Sequence, residues 1–222
     1  MVGSLALIVM ASLVSVVTIG VWTRSRRPAR GGMPTAMNPD RVKIFFERPI
    51  SFSLVIFSGD QMTHLEGYLG RCKYQILEKE TVEGLPADIY GGLPNPTGPQ
   101  NSIVFKAAYS VYGYTVLLDP EMVLATDKDE LRQFCSAHGA RILCAIWERV
   151  SETAALVEVT EAGLVREAWY QAGKESQPPR NPPAALTGSR DSTGLLNSLW
   201  QLGIPKGVLS SRVKATRYKL QE

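Results

Sequence analysis

The sequence predicts an α+β protein: one N-terminal transmembrane helix followed by a single mixed domain built from two βαβ-like units plus antiparallel hairpins. Three observations predict it. Leu5 to Trp22 is an uncharged, mostly apolar run with arginines immediately after it. Between residues 52 and 150, short β-branched and aromatic runs alternate with helical stripes. Beyond Ala155, apolar residues alternate imperfectly with charged ones on either side of a glycine turn, as in a sheet with one buried face.

The first element is the apolar run. Its eighteen residues, at about 1.5 Å each, cover roughly 27 Å, close to the thickness of a bilayer's hydrocarbon core. Ser12, Ser15 and Thr18 dilute it, but in a helix their hydroxyls bond back to the preceding turn. Arg24, Arg26, Arg27 and Arg30 follow, whereas no charged side chain precedes the run. Cationic flanks stay in the cytoplasm, so the expectation is a single-pass membrane protein whose C-terminal domain is cytoplasmic. The same arginines are suited to anionic headgroups, at about 1 kcal/mol per charge. A cleavable signal peptide would carry its charge on the other flank. Initiation at Met33 or Met37 would instead omit the run. Three cysteines cannot all pair within one chain, and Asn95 is followed by Pro96, so it is no glycan acceptor; both facts agree with a reducing compartment.

These features divide the chain into an anchor (1–22), a basic Gly/Pro-rich juxtamembrane linker (23–41), a core domain (42–172), a Pro-rich loop (173–192) and a C-terminal helix and basic strand packed on the core (193–222). Twenty-four basic residues against twenty-one acidic ones give +3. Four of the positive charges belong to the juxtamembrane cluster Arg24, Arg26, Arg27 and Arg30, so the folded part is near neutral and nothing in its charge calls for nucleic acid.

Within the core, Val42 to Phe46 and Phe52 to Phe57 predict strands. Ser58-Gly-Asp-Gln61 has the form of a capping box, Met62, Leu65 and Leu69 make a helical stripe, Gly70 is placed to stop that helix, and Cys72 to Leu77 resumes as strand. The pattern returns with Met122 to Ala125 as strand, Asp127-Lys-Asp-Glu130 as cap, Leu131 and Phe134 as stripe, Gly139 as stop and Ile142 to Val150 as strand. Duplication of one βαβ unit accounts for this, as does a generic strand–helix grammar. Ile103 to Val111 turns at Gly113 into Thr115 to Leu118, and Ala155 to Thr160 turns at Gly163 into Leu164 to Tyr170. Gly84 to Gln100 and Gly173 to Ser192 read as long loops. Thr193 to Leu202 reads as a leucine-faced helix, and Val208 to Leu220 as an extended basic segment.

No nucleophile elbow, dinucleotide fingerprint, Walker loop or zinc-protease helix occurs in the chain. His64 with Cys72 suggests an activated thiol, and Cys135 with His138, three apart on one helix, suggests two metal ligands; structural packing explains both pairs with fewer assumptions. Asp127, Asp129 and Glu130 are what the amides of a helix start attract in any case. No metal and no small-molecule cofactor is expected. The expected function is a cytoplasmic domain that binds a partner protein in a regulatory, scaffolding or protective role. The loop residues Asp88, Tyr90 and Asn95 are its contact surface, and residues 5–22 its contact with the membrane. The alternatives are a membrane-tethered hydrolase or transferase with a cysteine or acidic site, and lipid or nucleic-acid binding through Arg212, Lys214, Arg217 and Lys219. Those four cations equally suit an edge strand guarded against aggregation.

Overall fold

Burial on both sides shapes the centre of the molecule. The computed structural model describes residues 51–94, 103–171 and 192–222, all within one compact unit, Pro39–Glu222. Strand β1 (Phe52–Ser58) buries six successive residues, which is why its sequence is nearly continuously apolar rather than alternating. Helix α1 (Met62–Arg71) and the long strand β2 (Gln75–Gly84) follow, then the short helix α2 (Pro86–Gly91). Strands β3 (Ile103–Val111) and β4 (Tyr114–Leu118) form a tight hairpin. Next come α3 (Lys128–His138), β5 (Ile142–Glu148), β6 (Thr153–Val159) and β7 (Val165–Gln171). The chain continues through α4 (Ser192–Gln201), α5 (Gly207–Ser210) and β8 (Val213–Gln221).

The eight strands make one sheet in the order β2-β8-β3-β4-β1-β5-β6-β7, and every neighbouring pair is antiparallel. On one face Leu54, Ile56, Tyr109 and Leu118 pack with Leu195, Leu196 and Leu199 of α4, Val208 of α5 and Ile89 of α2. On the other, Val55, Phe57, Leu117 and Cys144 pack with Leu65, Tyr68 and Leu69 of α1 and Leu131 and Phe134 of α3.

This architecture corrects the expected class. The described residues form a mostly β protein, an eight-stranded antiparallel sheet with few helices, rather than an α+β domain of two βαβ units. A βαβ unit places its two strands near each other in parallel, but β1 and β2 lie four places apart, with β8, β3 and β4 between them. The second unit lacks its first strand: Asp119 accepts the Leu124 N–H at 2.9 Å and the Met122 N–H on its backbone oxygen at 3.0 Å. That curls Leu124–Thr126 into a 3₁₀ turn. In its place β4 leads through α3 to β5, and β1 fills the position between these two like-directed strands.

The single-pass membrane localisation is corrected as well. Among the described residues no helix is long and apolar enough to cross a membrane. The longest, α3, has eleven residues, about 16 Å of rise against roughly 30 Å of hydrocarbon. Residues 5–22 and Arg24, Arg26, Arg27 and Arg30, on which the anchor rested, lie outside the described residues, as do Val42 to Phe46 and most of the Pro-rich loop.

Candidate functional site

The glycine-rich loop is partly helical. Pro86 at the start fixes a helical φ where no amide partner is needed, and the Gly92 N–H closes the turn on the carbonyl oxygens of Asp88 (3.0 Å) and Ile89 (3.2 Å). This separates the three expected contact residues. Asp88 is exposed and lines a cleft of about 190 Å³ with Val82, Glu83, Gly84, Ile89, Gly92 and Arg217. Tyr90 turns into the core, where its hydroxyl accepts the Ser53 N–H at 3.3 Å. Asn95 lies outside the described residues.

The thiols are held in their protonated form. Burial pushes both Cys72 and Cys135 up to about 11 and Cys144 higher still, so all three are protonated at neutral pH. Cys135 points at the Val159 carbonyl and is fully buried, whereas His138 sits against Phe134, 4.5 Å between ring centres, so the two do not share a site. The histidines meet each other instead: the His64 and His138 rings stack at 4.1 Å with planes 23° apart. Partial burial, the His64 ring and Arg71 hold His138 below its ordinary value. Among the described residues no three or more His, Cys, Asp or Glu side chains gather as a metal site.

The basic strand is not an edge. β8 lies between β2 and β3, with Lys219 opposite Glu78, Arg217 opposite Glu80 and Lys214 opposite Glu83. Arg217 is ion-paired to Glu80, and Lys219 reaches Glu78 at 3.8 Å. These cations therefore meet acidic neighbours within the sheet, the cross-strand complement that stabilises a ladder.

A feature that the sequence reading missed is the buried charge at Lys106. Its side chain is fully enclosed on the α1/α3 face, ion-paired to the equally buried Asp119, with Glu121 at 2.7 Å and the Tyr74 ring centre 4.8 Å from the ammonium. Burial opposes the charge, but Asp119, Tyr74 and Glu121 outweigh it and hold Lys106 above its ordinary value. The signal was present: in the run Ile103 to Tyr109, the alternation that buries Val104 and Ala108 also buries position 106.

Among the described residues, the two edges of the sheet, β2 and β7, differ in chemistry. β2 carries Glu78, Lys79, Glu80 and Glu83, all exposed, and is irregular in register between Ile76 and Glu78. Charges and bulges are what keep an edge from recruiting another strand. β7 has no such irregularity; its register with β6 is unbroken from Val165 to Gln171. At its centre stand Ala168 and Trp169, the latter 40 % exposed, with the indole N–H donating to Glu167 at 3.1 Å. Next to them is a cavity of about 40 Å³ lined by Ala154, Leu156, Ala168, Tyr170 and Leu195. Arg166 is drawn toward Glu158, and Glu167 is ion-paired to Lys128, so the two charges of this strand are engaged with the domain itself.

Among the described residues, fold and edge together define one antiparallel sheet with helices on both faces and one margin that carries neither a register irregularity nor a free charge. No protein-family model matches the chain, and comparison with curated proteins and with solved structures returns no match.

Proposed function

We propose that this is a protein-binding domain that takes an extended segment of a partner along β7 as an added strand. The observation that carries the reading is the contrast between the edges: one is charged and irregular, the other regular, with an exposed tryptophan and a small cavity beside it. In strand addition the main chain supplies affinity, and pockets for alternate side chains supply selectivity. Trp169 offers a large, stiff contact surface of the kind that dominates binding energy, and the cavity lined by Ala154 and Ala168 accepts a small side chain. Among the described residues, β7 bonds to β6 alone, so its outer edge has no strand against it.

Site-specific photo-crosslinking tests this. A photoreactive residue at position 171 is expected to give discrete adducts in native extracts, and one at position 79 on β2 none. Trp169→Lys should abolish capture by a crosslinker at the neighbouring position 171. Equal adducts from both edges, or none from β7, would refute the reading.

A further inference from the structure

Building on the reading of β7 as the receiving edge, we propose that the strand added there is β7 of a second copy of this chain. The two domains join edge to edge into one continuous sheet, about a two-fold axis at Ala168.

The hairpin fixes which way the main chain of β7 points. The Thr160 N–H bonds the Leu164 carbonyl at 3.0 Å, and the register with β6 runs unbroken from there. In an antiparallel ladder bonded and non-bonded pairs alternate, so Arg166, Ala168 and Tyr170 exchange hydrogen bonds with β6. The N–H and C=O groups of Val165, Glu167, Trp169 and Gln171 therefore point away from it, toward an added strand.

Pairing of β7 with itself about Ala168 is self-complementary. It sets Val165 opposite Gln171 of the second copy, Arg166 opposite Tyr170, Glu167 opposite Trp169, and Ala168 opposite its own counterpart. Each charge thus faces an aromatic ring. The indole N–H of Trp169 already donates to Glu167 within the strand at 3.1 Å, and the second copy offers the same donor and acceptor across the axis. A guanidinium beside a tyrosine ring is attractive as well. Other registers fit worse. A two-fold axis at Glu167 or Arg166 would oppose like charges, which destabilises a ladder, and one at Trp169 would overlap residues 167–171 alone. At the chosen centre the facing residues form a non-bonded pair, where side chains approach most closely, and that position holds the smallest side chain of the strand.

Sedimentation of the full chain at rising concentration tests the proposal, with passage from 24.3 kDa to twice that mass expected. Trp169→Glu sets a carboxylate opposite Glu167 of the second copy at two symmetric places, and should raise the dissociation constant by more than about tenfold. Ala168→Cys, in a chain that also carries Cys72→Ser, should link to its own copy under mild oxidation by diamide. Cα atoms in such a pair lie about 4.5 Å apart, within the span that a disulfide bridges. Arg166→Cys and Tyr170→Cys in the same background should not link, since each faces a different residue. Circular dichroism checks that every variant is folded. The proposal is overturned if the full chain stays at 24.3 kDa at every concentration, if Trp169→Glu leaves the dimer intact, or if Ala168→Cys does not link it. In those cases, photo-adducts of another protein at position 171 would leave strand addition standing with a different partner, whereas the absence of any adduct would remove both.

Discussion

At the scale of single residues, the Lys106 cluster has the largest consequences. An ammonium with no exposed surface is tolerable because Asp119 and Glu121 surround it, and removing it leaves two carboxylates without their counter-ion. Lys106→Met is therefore expected to cost about 3–5 kcal/mol in urea denaturation, because breaking one partner of a buried pair strands the other. Glu121→Gln should cost much less, since that side chain reaches solvent. The alternation in β3 already marked position 106 as inward-facing. Its partners were not legible, because Asp119 and Glu121 follow the next strand and come near only once β3 and β4 pair. Tyr90 shows the opposite limit. Nothing in its loop announces that the ring turns inward; the Ser53 amide that it caps is thirty-seven residues away.

At the scale of elements, local chemistry was readable wherever a single turn decides the outcome. The hairpin joining β6 to β7 occurs where the glycine turn predicts it, and the carboxylate of Asp127 caps α3 by accepting the Glu130 N–H at 3.2 Å. Gly139 ends that helix in the left-handed conformation. The first expected capping box does not form: the helix begins after Gln61 with no side-chain cap. Ser58 finishes β1 and accepts the Arg141 N–H at 2.8 Å, so a long-range strand contact takes the hydroxyl that the local pattern assigned to the helix. Likewise Gly70 does not stop α1; the left-handed residue there is Lys73. The β3–β4 turn rests on Tyr112 and Gly113, both with positive φ. A side chain at Gly113 would meet no atom within 4 Å, so any cost is purely conformational. Gly113→Ala is expected to lose about 1–2 kcal/mol of stability, read as a lower midpoint in denaturant with unchanged slope.

At the scale of the whole molecule, acid sensitivity follows from carboxylates tied into the ends of the sheet. Burial pushes Glu148 up, but hydrogen bonds from Ser151, the Val150 N–H and Ser51 outweigh it and leave its pKa lowered. Asp60 is lowered by the Ser110 hydroxyl and the Met62 N–H. A carboxylate whose folded pKa is depressed contributes stability above its unfolded value and loses it as pH falls through the folded one. Unfolding free energy should therefore decline below about pH 4.5, the ordinary value for Glu148. In Glu148→Gln that decline should be shallower, which a pH series of denaturant midpoints measures. The strand order was the least legible level, because antiparallel neighbours are chosen by faces that fit across the finished sheet. Sequence neighbours such as β1 and β2 are then left four places apart.

The position of β8 also has a temporal side. Among the described strands it is the last that a ribosome makes, yet it occupies the gap between β2 and β3. Until residues 213–221 have left the exit tunnel, the nascent β2 has no strand beside it, although everything from β3 to β7 can already zip together. Completion of the sheet thus waits for the last of the described strands, and in the interval before it the unclosed flank is what a holding chaperone would encounter.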